Sequence, residues 1–184
     1  MTFDDRWFVA EKADQQAERA LHDLRERHDG FLRFERTERV SRGRFRTLAD
    51  RSRDCGAPFG AHTIVYRDSE ELLLVRHEGV GLWVLPGGCV EHQESYRAAA
   101  RRELREEAGV DVTYDGLAML TRLTVTDGEY DMTGVLPVFA ARAESHEPEV
   151  ADPDSEISEA RWFEELPPDT RDREDLLAWR AEAF

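Results

Sequence analysis

The sequence predicts an α+β fold, and three observations predict it. Apolar runs of strand character cluster between residues 62 and 85, and again between 117 and 141. A helix of clear 3.6-residue periodicity separates the two clusters, and further helical segments stand at both ends of the chain. The 184 residues suit one domain, or one domain with a modest appendage, and a 40% hydrophobic share with nine Phe and four Trp supplies a core.

The first element is a helix over residues 9–29, where Ala13, Ala17, Ala20, Leu21, Leu24 and His28 recur near helical spacing and Asp29-Gly30 stops it. Residues 31–53 then hold eight Arg against three acids, Glu35, Glu38 and Asp50, with enough apolar content in Phe31, Phe34, Val40 and Phe45 for one or two short strands. This basic island has two readings: a wall that holds an anionic substrate, or a set of salt-bridge partners for the acidic body or a second subunit. Gly56, Pro58 and Gly60 mark a boundary. We therefore divide the chain into an N-terminal helix and Arg-rich extension, 1–58, and a main domain, 59–184.

Within the main domain, His62, Ile64 and Tyr66 alternate with Thr63, Val65 and Arg67 as a strand. Asp68-Ser69-Glu70 turns the chain, Leu72 to Val75 forms a second run, and Leu82 to Leu85 a third that Pro86 ends. A helix over 95–108 follows, with Tyr96, Ala100, Leu104 and Ala108 as its core stripe and Gly109 where a left-handed residue closes it. Leu117 to Thr126 and Met132 to Ala141 form a hairpin about Asp127-Gly128, with Pro137 pointing to an edge or a bulge. An acidic loop over 143–159, a short strand over 160–163, Pro167-Pro168 and a helix over 171–184 complete the chain. His62 and His77 read as strand-face residues and Trp83 as packing.

The formal charge is −15, with 40 acids against 25 bases, and Lys12 is the only lysine. That sign argues against nucleic-acid binding, because a phosphate backbone repels it. An acidic, Lys-poor chain fits a salt-rich cytoplasm, and a high-GC genome accounts for the Arg-for-Lys bias equally well. Cys55 and Cys89 form no close pair and have no His at zinc-ligand spacing, so neither a structural disulfide nor a zinc site is expected. Two separate thiols fit a reducing compartment. The amino terminus is acidic without an apolar leader core, and no run approaches the ~18 apolar residues of a membrane span. A cytoplasmic protein with no membrane partner is expected.

The informative stretch is Gly87 to Val110, GGCVEHQESYRAAARRELREEAGV. Glu103, Glu106 and Glu107 fall at i, i+3 and i+4, which puts three carboxylates on one helix face. Like charges so placed repel, and loss of water beside a sheet adds to the cost. A divalent cation relieves it, and hard oxygen donors without Cys or His suit Mg²⁺ or Mn²⁺. Taken alone, the triad also fits a solvated helix face on which Arg101, Arg102 and Arg105 pair with the glutamates.

The spacing adds more. Gly88, five residues, Glu94, seven residues, Arg102-Glu103-Leu104, one residue, Glu106-Glu107, one residue, Gly109-Val110 resembles the Nudix box at each of its nine fixed positions. The resemblance is tight over the box, loose over about residues 61–167, and absent from the first sixty. It implies an α/β/α sandwich around a mixed sheet and metal-dependent hydrolysis of a nucleoside diphosphate linked to another group. By the same resemblance Glu103, Glu106, Glu107 and the Gly87 carbonyl are metal ligands, with Glu156, six residues before Trp162, as a further one. Arg102 and Glu94 tie loop to helix, Gly88 and Gly109 are structural, and Glu106 or Glu103 is the general base. The small-molecule substrate it implies is a nucleotide sugar or dinucleotide, with a damaged nucleoside triphosphate as the alternative; family members often form homodimers. Thr126 stands where the ADP-ribose type usually carries Pro, which weakens that assignment. A non-catalytic nucleotide sensor is the reading from another class, and the intact carboxylates count against it. Gln93 stands where many members have Gly, so the turn there is expected to differ locally.

Overall fold

Strands from both predicted clusters join in one mixed sheet. The computed structural model describes residues 3–55, 57–144, 147–151 and 155–184, with side chains from residue 11 onward. In chain order the elements are α1 (Phe3–Arg27), β1 (Leu32–Arg39), α2 (Arg42–Asp54), β2 (Ala61–Tyr66), β3 (Leu72–His77), β4 (Leu82–Val84) and β5 (Gly87–Gly88). The box helix α3 (Tyr96–Glu107), β6 (Val112–Thr126), β7 (Asp131–Ala143), β8 (Ile157–Phe163) and α4 (Arg173–Ala183) follow. The sheet runs β1-β6-β7-β2-β3-β4, with β5 beside β2 and β8 beside β3. The β1–β6 and β2–β7 pairs are parallel and the others antiparallel.

Alternate residues of the central strands face opposite layers. Ile64, Leu72 and Leu74 pack with Leu176 and Trp179 of α4. Val65, Leu73 and Val75 pack with Leu104 and Ala108 at the end of α3. Ala17, Leu21 and Leu24 of α1 join Ala99, Ala100 and Phe139 on the α3 side. The result is the expected α/β/α sandwich. It also explains why Thr63, Ile64 and Val65 are all buried rather than alternating with exposure: both faces of β2 are covered.

Residues 31–53 differ from expectation. One strand, β1, is present, but its neighbour is the helix α2. Ser41 caps it by accepting the Arg44 N–H at 3.2 Å, and Phe45, Ala49 and Ser52 bury one face at helical spacing. That face packs with Ala13 of α1 and with Val125, Tyr130 and Met132 of the β6–β7 hairpin. The extension is therefore tied to the sheet by β1 and to the hairpin by α2.

Pro137 lies in an interior strand rather than at the sheet edge. It faces Leu120 of β6, and the β2 pairing of β7 begins one residue later at Val138, so on that side Pro137 has no strand neighbour. The missing N–H therefore breaks no β2 ladder bond. Gly56 of the proposed boundary, and residues 145–146 and 152–154 of the acidic loop, lie outside the described residues. Among the described residues no helix is long and apolar enough to cross a membrane.

The two cysteines correct the sequence reading. Cys55 and Cys89 are joined as a disulfide with Cα atoms 5.9 Å apart, so no free thiol remains. Neighbouring in space at a separation of 34 residues, they link the end of α2 to the loop after β5. The free-thiol argument for a reducing compartment falls with this pairing. A loop of this length constrains the unfolded chain by about 3–4 kcal/mol. Cys55→Ser is expected to lower the melting temperature by roughly 10 °C for a domain of this size. Calorimetry with and without a dithiol reductant checks this: wild type should fall to the variant's value, and the variant should not respond.

Candidate active site

The site is built where the β5 turn meets α3. Ser95 caps α3 by accepting the Ala98 N–H at 3.2 Å, and Ala99, Ala100 and Leu104 bury its inner face. This leaves Glu103, Glu106 and Glu107 together on a flank. Gly88 passes so close that a Cβ there would lie 2.7 Å from the Glu103 carboxyl carbon, so a side chain at 88 would push that carboxylate from its place. The Gly87 N–H donates to Glu107 at 2.8 Å, which leaves the Gly87 carbonyl as a backbone oxygen beside the helix.

Arg102 is the hub. Its Nη1 donates to Glu103 at 2.8 Å and to Glu106 at 3.3 Å, and its Nη2 to Glu94 at 3.1 Å and to the Cys89 carbonyl at 2.8 Å. Glu94 in turn accepts the Glu91 N–H at 3.0 Å, which closes the loop on itself. Burial works to raise the Glu94 carboxyl, but the Arg102 bonds and the Glu91 amide outweigh it and hold Glu94 below the usual range. Glu103 goes the other way: burial, helped by the charges of Glu106 and Glu94, raises it against the pull of Arg102. Hydrogen bonds donated to Glu94 and Glu103, opposed by burial, raise the Arg102 guanidinium above its ordinary value.

The sequence-predicted residues fall as follows. Gly87, Gly88, Glu94, Arg102, Glu103, Glu106 and Glu107 are brought into one connected group. Gly109 takes the left-handed conformation expected after the helix, at φ 62°. Gln93 is also left-handed, at φ 69°, so the turn keeps the backbone that Gly adopts without strain. Glu156 sits just ahead of β8, its carboxylate 3.4 Å from the His77 Nε2. Trp83 packs edge-on against Phe163 at 4.8 Å between centroids.

For a divalent cation, the donor chemistry fits: carboxylate and carbonyl oxygens only, grouped on a rigid helix and its loop. Among the described residues no three His, Cys, Asp or Glu side chains close on a common point as a ready cage. The Arg102 guanidinium instead supplies the positive charge among Glu94, Glu103 and Glu106.

Beside this group lies a cleft of about 480 Å³ reaching Gly87 and Gly88. Met119, Thr121, Leu136 and Val138 of β6 and β7 line it, with Phe59, Leu85 and His62. Arg44, Leu48 and Arg51 of α2 line it too, as do Arg171 and Leu176. His62 Nδ1 is shielded from solvent and has no hydrogen-bond partner among the described residues. Burial, with the charges of Arg171 and Arg51, pushes the His62 pKa down to about 4, so the imidazole is neutral. Sequence reasoning offered residues 31–53 as a basic wall for an anionic substrate, against a salt-bridging role, but did not single out Arg44 and Arg51 or join Arg171 to them. Their signal was the Ser41 cap and the Phe45-Ala49-Ser52 period, which put Arg44 and Arg51 two turns apart on one face.

Comparison with known proteins adds the following. A family model described as NUDIX domain matches residues 57–179. A putative 8-oxo-dGTP diphosphatase of Bacillus subtilis (strain 168) is 50% identical over 50 residues, covering 27% of this chain and 34% of that protein. A CTP pyrophosphohydrolase of Escherichia coli (strain K12) is 47% identical over 53 residues, covering 27% and 39%. The chain thus spans well under half the length of either relative. A crystal structure of a NUDIX hydrolase from Nitrosomonas europaea superposes with a TM-score of 0.52 at 23% identity, over 67% of this chain and 69% of that one.

Removing the hub leaves like charges facing one another. Arg102→Ala is expected to lose about 1–3 kcal/mol of stability in a chelator, less than a fully buried pair loses because the guanidinium is partly exposed. Millimolar Mg²⁺ should restore much of it. Thermal unfolding in EDTA and in Mg²⁺ measures this, and equal melting temperatures in the two buffers count against a cation among these acids.

Proposed function

The chain belongs to the NUDIX domain family, and from there we propose that it is a divalent-cation-dependent hydrolase that breaks the pyrophosphate linkage of a nucleotide. The observation that carries this reading is the grouping of Glu103, Glu106 and Glu107 with the Gly87–Gly88 turn by way of Arg102 and the Gly87 amide. Residues 59–184 form the hydrolase domain, with 1–58 as its extension.

Glu103, Glu106, Glu107 and the Gly87 carbonyl would hold Mg²⁺ or Mn²⁺, with Glu156 as a further ligand from ahead of β8. Bound there, the cation neutralises pyrophosphate oxygens and brings the pKa of the attacking water into a usable range. Arg102 keeps the acids in register and Glu94 keeps Arg102 in place. The Glu106 side chain is 33% exposed against 15% for Glu103, so Glu106 is the better placed to take the proton from water.

Two substrate classes fit. A nucleoside diphosphate derivative, such as a nucleotide sugar or dinucleotide, suits a cleft of this volume with an apolar floor and Phe59 at its side. A nucleoside triphosphate is favoured by the names of the two curated relatives, 8-oxo-dGTP diphosphatase and CTP pyrophosphohydrolase.

Glu106→Gln is expected to lower kcat by roughly 10²–10⁴ with the fold intact, and EDTA to abolish turnover. Release of phosphate or nucleotide from a panel of nucleotide derivatives, with and without Mg²⁺, is the measurement. Undiminished turnover in Glu106→Gln rejects the role. Silence across the panel with nucleotide binding retained replaces the enzyme with a sensor.

A further inference from the structure

One wall of the cleft comes from outside the matched domain. Arg44, Leu48 and Arg51 occupy i, i+4 and i+7 of α2, so a single face of the extension helix lines the cavity. Arg171 lines it as well, its backbone fixed by an N–H bond to the Trp83 carbonyl at 2.9 Å. None of these three arginines has an ion pair among the described residues, in a chain whose acids outnumber its bases by 40 to 25. The acids nearest to hand are engaged elsewhere: Arg36 holds Asp172 at 3.1 Å and Asp175 at 2.6 Å, which leaves Glu38 as the cleft's remaining carboxylate.

Three of the island's other arginines are paired, while Arg33, Arg39 and Arg46 have no ion pair among the described residues either but lie outside the cleft lining. Arg42 pairs with Glu129, Arg53 with Asp50, and Arg36 with Asp172 just before α4 and Asp175 in its first turn. Arg44 and Arg51 are thus the members of the helix turned to the cleft without a counter-charge. His62 adds a shielded Nδ1 without a partner, on a neutral ring within electrostatic reach of both Arg51 and Arg171. Guanidinium forks lining one cavity present donors without acceptors. A phosphate group supplies acceptors in the geometry that guanidinium matches.

We propose that Arg44, Arg51 and Arg171 form an anion subsite for a substrate phosphate beyond the two that flank the broken bond, so that the extension selects nucleoside triphosphates over diphosphates with an uncharged cap. The subsite rests on the hydrolase reading for its role in turnover, though not for its capacity to bind. Its position is anchored: Arg51 stands one helical turn before Cys55, and the Cys55–Cys89 disulfide ties that end of α2 to the loop after Gly88.

Two measurements test it. Calorimetric titration in EDTA with inorganic tripolyphosphate and with pyrophosphate reads the subsite without turnover. Wild type should bind tripolyphosphate more tightly. Arg51→Ala and Arg171→Ala should each weaken it about tenfold or more, the scale of a lost charge-assisted bond to phosphate, and Arg51→Lys should recover part of the loss. In Mg²⁺, Arg51→Ala should raise KM about tenfold or more for a nucleoside triphosphate and change it less than threefold for the matching nucleotide sugar. An equal loss on both substrates, or none on either, overturns the proposal. If no nucleotide is turned over but tripolyphosphate binding still depends on Arg51, the hydrolase reading falls and the subsite stands.

Discussion

Everything at the candidate site depends on one guanidinium. Helical spacing forces Glu103, Glu106 and Glu107 together, and burial against the sheet takes water from Glu103, which is why its carboxyl is raised. Arg102 opposes both costs at once, because a planar fork reaches Glu103 and Glu106 on one side and Glu94 and the Cys89 carbonyl on the other. A lysine could neutralise the acids but could not fix the loop with the same group. The close pass of Gly88 over Glu103 is tolerable for the same reason: the carboxylate is held in one place and the backbone needs to clear only that place.

A second consequence concerns charge elsewhere. In a chain at −15, an arginine on the surface meets acids readily, so an unpaired cluster has to be protected from them. Arg36 provides that protection. By binding Asp172 and Asp175 it removes the two carboxylates that share the cleft with Arg171. The exposed pair with Asp172 contributes little to stability, while Asp175 is largely buried. What Arg36 changes is which charges in the cleft stay available.

The box was legible because several independent signals agreed on it. The Tyr96-Ala100-Leu104-Ala108 stripe, Gly109 beyond the end and three acids on one flank each point to the same helix, which was read over 95–108 and spans Tyr96–Glu107 between its caps Ser95 and Ala108. The sheet was legible from apolar runs, although the alternation assumed for β2 fails where helices cover both faces. The extension was not legible in the same way. Eight arginines over 31–53 hid the buried period of Phe45, Ala49 and Ser52, and a 3.6 period with so few apolar members is easily taken for strand. The disulfide was illegible for a different reason: its two cysteines meet only because α2 ends beside the β5 loop, a fact of tertiary packing that pairwise spacing does not encode.

The acid group and the cleft beside it therefore answer to different constraints. Glu103 and Glu106 cannot move without breaking the Arg102 network, nor Glu107 without losing the Gly87 amide, so the acids proposed for cleavage are held by bonds within the loop and helix themselves. The arginines on α2 are held by other means: the disulfide at one end, the Ser41 cap at the other and the apolar packing of Phe45 and Ala49 in between. The link from Cys55 to Cys89, whose carbonyl Arg102 grips, joins the second set to the first. A helix so attached can present different side chains to a substrate without disturbing the carboxylates. That separability is the physical reason to look for substrate preference in the extension and for bond cleavage in the box.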